Sequence, residues 1–100
     1  MKEKKRVVIT GMGIVSCFGD DVDLFYQMLL AGKSGIRRIR GFACEEYPTQ
    51  IAGEIEGFDP GDLIDKKQAR RIDKAIAYAM VAGKKAFQHA QLSNSVVMER

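Results

Sequence analysis

The chain carries one histidine and two cysteines in 100 residues. A single histidine, His89, excludes a histidine pair for acid-base work. Two cysteines, Cys17 and Cys44, cannot build a disulfide framework, and no CxxC or histidine-rich spacing offers a metal site. Such usage suits a reducing cytosol. No run approaches the ~18 apolar residues that a membrane span requires. Internal repeats and low-complexity tracts are missing too, so nothing marks a linker. Excess charge is small: a net +3 hints at an acidic partner without requiring nucleic acid.

What is present reads as at most one ordinary domain, with 46% hydrophobic and 29% charged residues. The chain is organised around Arg6 to Gly19, RVVITGMGIVSCFG. Val7, Val8, Ile9, Thr10, Ile14 and Val15 favour the pleated state, and the lack of polar alternation predicts one strand buried on both faces. Its N–H and C=O groups need neighbouring strands. The remaining residues supply one weaker strand, Thr49 to Ile55, so most of the sheet is expected outside this chain. A free chain of this kind would expose apolar surface and associate.

Lys2 to Arg6 followed by Val7 to Ser16 imitates a secretion signal, and Ile14-Val15-Ser16-Cys17 imitates a lipoprotein cleavage site. Glu3, Thr10, Gly11 and Gly13 dilute both patterns. Gly19-Asp20-Asp21 then signals a turn and an N-cap, and a helix runs to Gly32 with Val22, Leu24, Phe25, Met28 and Leu29 as its apolar stripe. Asp20, Asp21 and Asp23 are explained as a capped helix start rather than a metal site. Glycines and prolines punctuate Gly32 to Asp65, and Asp59-Pro60-Gly61 is a turn that caps one helical turn. The clearest periodic element is a second helix from about Asp65 to Gln91. Ala69, Ile72, Ala75, Ile76, Ala79, Met80, Gly83, Ala86, Phe87 and Ala90 fall within an arc of roughly 140° on it. Tyr78, Val81 and Ala82 interrupt the other face, so the later turns are expected to be the more deeply buried. His89 reads as a surface histidine in the last turn, where a partly protonated ring suits the helix dipole. Ser93 to Arg100 reads as a polar loop leading to a next strand.

Two glycine motifs are false leads. Gly11-Met12-Gly13 follows a strand as in a dinucleotide fingerprint, but Ser16 replaces the third glycine and no helix opens there. Gly32-Lys33-Ser34 mimics the end of a P-loop, but Gln27 holds the first glycine position and the motif ends a helix.

RVVITGMGIVS, then LLAGKSGI at 29–36, IAGEI at 51–55 and DKKQARRIDKAIAYAMVAGKKA at 65–86, resemble in order the opening of the β-ketoacyl-[acyl-carrier-protein] synthases. The likeness is to the type II elongating condensing enzymes of bacterial and plastid fatty acid synthesis, from about Arg6 to Leu92. It implies an α/β, thiolase-like fold of αβαβα layers. Residues 1–100 would then be the N-terminal portion, roughly a quarter, of one ketosynthase domain. It further implies a homodimer when whole, without cofactor, metal, nucleic acid or membrane partner, in the cytoplasm or plastid stroma. The implied activity is that of a 3-oxoacyl-[acyl-carrier-protein] synthase II, an acyltransferase. A cysteine thioester and two histidines would support decarboxylative condensation with malonyl carrier, lengthening the chain by two carbons. None of these catalytic groups falls within residues 1–100, and this segment alone is expected to be inactive. Cys17 stands where the family usually has proline, Gln50 where arginine is common, and Gln91 where glycine often ends the helix. The reactive cysteine therefore lies elsewhere, and Cys17 and Cys44 read as structural.

One constellation remains as a site. Lys66, Lys67, Arg70, Arg71 and Lys74 lie on one side of the second helix, in an arc of about 140° with only Asp73 near its edge. Most charge runs are simply solvated helix faces. This one is more one-sided than solubility needs, and by resemblance Lys67, Arg70 and Arg71 fall on the basic positions that dock the acidic acyl carrier protein. The rivals are a ketosynthase of polyketide or short-chain-limited type, and a small basic helical module that holds an acidic protein or nucleic acid.

Overall fold

The computed structural model describes residues 3–92. Their order is α1 (Val22–Leu30), β1 (Ile36–Arg38), β2 (Ile51–Gly53), a 3-10 turn (Gly61–Leu63), α2 (Lys66–Arg71) and α3 (Lys74–His89). The expected polar loop at 93–100 lies outside the described residues.

The strand expected over Arg6–Gly19 does not form. Up to Val15 this segment pairs with nothing among the described residues, and Val7 and Ile9 are 93% and 84% exposed. A strand exists only where another backbone answers its hydrogen bonds. Its end does close on itself, since Ser16 and Gly19 exchange both backbone hydrogen bonds at 2.9 Å around a turn that holds Cys17 and Phe18.

Gly11 and Gly13 have a packing role. A Cβ at Gly13 would collide with the Ala82 carbonyl oxygen and lie 2.9 Å from the Ala86 nitrogen; one at Gly11 would meet Ala86 and Ala90. The extended backbone thus rests directly on the alanine face of α3, an approach only glycine permits. Met12 N–H donates to His89 Nδ1 at 2.9 Å, and Lys85 binds Asp20 at 2.7 Å, fixing the same segment at both ends. His89 is exposed as expected, and its Nδ1 is the acceptor of that bond.

Helix α1 has the expected boundaries. Asp21 Oδ1 accepts from Asp23 N and Leu24 N. Gly32 at φ 69° completes a Schellman end, with Lys33 N bonded to Met28 O and Gly32 N to Leu29 O. Helix α3 ends the same way, with Leu92 N on Phe87 O and Gln91 N on Gln88 O, but its left-handed residue is Gln91 at φ 58°.

The brief strand expected at Thr49 to Ile55 is found as β2. It pairs antiparallel with β1, a strand the sequence analysis missed, in the register Ile36↔Gly53, Arg37↔Ala52, Arg38↔Ile51. The expected turn at Asp59-Pro60-Gly61 also forms, with Asp59 Oδ1 accepting from Gly61 N at 2.9 Å.

The second helix is the main correction. It is two helices, because Ile72 (φ −99°, ψ 154°) and Asp73 (φ −63°, ψ 150°) are extended. The core gives the reason. Ile64, Ala77 and Val81 are buried together, with Val15, Phe58, Leu63, Ala69, Ile72 and Met80 packed against them. Nine residues span about 900° of an α-helix, so an unbroken helix would place Ile72 and Val81 on opposite sides. Both reach one core only because the chain breaks between them. The apolar arc drawn for a single helix is corrected accordingly: Ala75, Ile76, Ala79 and Gly83 are exposed, and Ala77 and Val81 are the buried residues of α3. Phe58 adds an edge contact to Tyr78 at 4.8 Å between ring centroids.

Large apolar side chains stand in water along Val7–Ile9 and on the outer sides of α1 and α3, among them Leu24, Leu29, Leu30 and Ile76.

Two glycine exchanges test these geometries with opposite signs. Gln91→Gly is expected to stabilise the protein by about 1 kcal/mol, by removing a left-handed non-glycine residue. Gly13→Ala is expected to destabilise it by about 3 kcal/mol, because a helix backbone cannot yield to the added methyl. Denaturant unfolding of the protein carrying this segment reads both.

Candidate functional site

Helix α2 is six residues long, too short to hold itself in water. Its stability comes from Ala69 and Ile72, which lean on the core. Its charges work against it, since Lys66 and Arg70 are spaced i, i+4, as are Lys67 and Arg71. Each such like-charge pair costs about 0.2–0.5 kcal/mol in a helix. Arg70 and Arg71 recover part of this by lying in the last turn, where the helix dipole favours cations.

Lys66, Lys67, Arg70, Arg71 and Lys74 are all exposed, and among the described residues none has a carboxylate within ion-pair distance. Elsewhere three cations are matched, Arg38 with Glu45, Arg40 with Glu56 and Lys85 with Asp20, while Lys4, Lys5, Arg6, Lys33, Arg37 and Lys84 also have no ion pair among the described residues; what sets the five apart is that they cluster within nine positions. The five cations are exposed, as a basic helix face requires, but they do not share one helix. Four cations belong to α2 and Lys74 opens α3 beyond the break. The sequence also missed a shallow groove of about 390 Å³ between the 3-10 turn and α2, lined by Pro60, Ile64 and Ala69 among others. Lys66 and Arg70 stand on its rim, but so do Asp59 and Asp62. The surface is therefore mixed toward the groove. On the helix projection Lys67 and Arg71 point about 100° further round than Lys66 and Arg70, away from those carboxylates.

The other candidates separate cleanly. Cys17 is exposed in its turn, and its Sγ occupies the place a side chain at Gly35 would need. Cys44 is buried at 1% exposure beneath the turn closed by Tyr47 N on Cys44 O. Gln50 locks that turn: its Nε2 donates to Glu45 O and Tyr47 O, while its Oε1 accepts from Arg38 at 2.7 Å. Among the described residues neither thiol has a histidine or lysine hydrogen-bond partner; Cys44 Sγ lies 3.9 Å from Ile39 O and 4.0 Å from Gln50 O. Among the described residues no metal-binding cluster gathers. No described helix is long and apolar enough to cross a membrane.

The family model "Beta-ketoacyl synthase, N-terminal domain" matches residues 4–99. The chain belongs to the β-ketoacyl synthase family. This synthase segment is 53% identical over 89 residues to 3-oxoacyl-[acyl-carrier-protein] synthase I, chloroplastic, of Arabidopsis thaliana, covering 89% of this chain and 19% of the relative. It is 46% identical over 92 residues to 3-oxoacyl-[acyl-carrier-protein] synthase 2 of Staphylococcus aureus (strain COL), covering 92% and 22%. A solved structure, the ishigamide ketosynthase/chain length factor, matches with TM-score 0.76 and 33% identity, over 88% of this chain and 22% of that one. The segment spans about a fifth of the length of these relatives. Its fold is accordingly that of part of a thiolase-like α/β ketosynthase, and the helices and the short β1–β2 sheet are consistent with an α/β fragment.

Gln50 offers a direct test of the lock on Cys44. In the synthase, Gln50→Ala is expected to raise the rate of Cys44 alkylation roughly tenfold, because two or three hydrogen bonds worth about 0.5–1.5 kcal/mol each no longer oppose local opening. Mass spectrometry of alkylated peptides reads the rate.

Proposed function

We propose that this segment is the opening part of one thiolase-like domain of an elongating 3-oxoacyl-[acyl-carrier-protein] synthase of the kind numbered II. In this reading the whole protein is a homodimer that extends carrier-bound acyl chains in fatty acid synthesis, in the cytoplasm or plastid stroma. The nucleophilic cysteine takes the acyl group as a thioester and releases the carrier thiol. Decarboxylation of malonyl carrier then frees CO₂ and supplies the carbanion that attacks that thioester, returning the cysteine thiolate. These catalytic groups are assigned to parts of the enzyme outside residues 1–100.

The segment's own contribution is to dock the carrier. The single observation that carries this is five exposed cations, Lys66, Lys67, Arg70, Arg71 and Lys74, left without carboxylate partners among the described residues. Two i, i+4 like-charge pairs on a six-residue helix oppose folding, and an acidic partner would relieve them. Exposed ion pairs are worth about 0.2–1 kcal/mol each, so binding is fast, weak and salt-sensitive, as a shuttling carrier requires. The relatives named as acyl-carrier-protein synthases support this choice of partner. The similarity to a ketosynthase/chain length factor favours a second reading, a polyketide ketosynthase with the same docking role. Acyl-chain preference separates the two.

Reversing charge with Lys67→Glu, Arg70→Glu and Arg71→Glu is expected to raise the KM for carrier-bound acyl substrate about tenfold or more and to flatten its salt dependence. Steady-state kinetics at several ionic strengths measure this. Salt-dependent binding of nucleic acid by the unaltered protein would instead favour a basic binding module.

A further inference from the structure

The break between α2 and α3 has no glycine or proline in it, and Asp73 makes no side-chain capping bond. The two helices close independently on backbone bonds, Ile72 N on Gln68 O at 3.1 Å and Ala77 N on Asp73 O at 3.0 Å. What breaks the chain is the place taken by Ile72 against Ile64, Ala77 and Val81. The alternative, an unbroken helix, has a definite consequence for charge. Arg70 lies seven residues before Ala77 and eleven before Val81, so it would project within about 20° of both. Lys66 would project on the same side. With Ala77 and Val81 buried, such a helix would turn Arg70 toward the core and Ile72 toward water. The break exchanges them: Ile72 packs inward and all four cations of α2 face solvent.

We propose that Ile72 and Asp73 are positioning residues for the basic site: their extended backbone rotates α2 relative to α3 and so presents Lys66, Lys67, Arg70 and Arg71 to the acidic partner. This rests on the reading that α2 docks a carrier protein. Asp73 is suited to a discriminating test. Its φ of −63° is the angle proline imposes, and Ile72 already has the extended backbone that a following proline demands. Asp73→Pro therefore preserves the break, whereas Asp73→Ala favours a continuous helix. Both remove the same charge.

The test compares Ile72→Ala/Asp73→Ala with Ile72→Ala/Asp73→Pro in the full-length protein. Each is assayed with an acyl group on the carrier and with the same acyl group on a small soluble thioester. The expected result is a rise of about fivefold in the carrier-substrate KM for the alanine pair only, with kcat and the small-thioester KM matched between the two variants. Equal carrier-substrate KM values in the two variants would overturn the positioning role. If the double variants do not fold, Asp73→Pro alone decides: an unchanged carrier-substrate KM supports the proposal, and a raised one in folded enzyme overturns it. Charge reversal on α2 without effect on that KM would overturn the docking reading itself, and the positioning role with it.

Discussion

The structure depends on a phase conflict. Ile72 and Val81 are nine residues apart, half a helical revolution out of register, and both belong to one apolar core. The chain resolves this by giving up helical geometry at two residues, a cost that burial of a β-branched side chain offsets at about 25 cal/mol per Å² of apolar area. Everything distinctive about the basic surface follows. A six-residue helix too short to stand alone is held by Ala69 and Ile72, and its four cations are free to face outward.

A second constraint operates at the other end of α3. Gly11 and Gly13 bring an extended backbone against Ala82, Ala86 and Ala90, and the Met12–His89 and Asp20–Lys85 contacts fix its course. The motif that imitates a phosphate cradle is thus a packing device. Beyond it, Val7 to Ile9 stand exposed, and among the described residues no strand pairs with them. The segment spans about a fifth of the length of its curated relatives.

Local chemistry made several elements legible. Asp21 and Gly32 bound α1 because an N-cap carboxylate and a left-handed C-cap act within four residues of themselves. Asp59-Pro60-Gly61 turned as expected for the same reason, and Gln91, noted as a departure from glycine, proved to be the left-handed residue closing α3. The basic residues of the candidate site were legible because five cations within nine positions need no tertiary knowledge to find. Strand β1 was not legible: IRR has no alternation, and its pairing depends on Ile51–Gly53, thirteen or more residues away.

The sequence by itself determined the family, the helix caps, the turns and the identity of the cations, since each is written in adjacent residues or in ordered motifs. Tertiary structure decided which face of α3 is buried, where the second helix breaks and whether the first apolar run is a strand. Those outcomes depend on partners distant along the chain. Periodicity reports that Ile72, Ile76 and Ala79 can share a face; the core around Ile64 instead joins Ile72 to Ala77 and Val81 and leaves Ile76 and Ala79 exposed. A strand, likewise, is a relation between two backbones, and Arg6 to Val15 meets a helix face where the sequence pointed to a sheet.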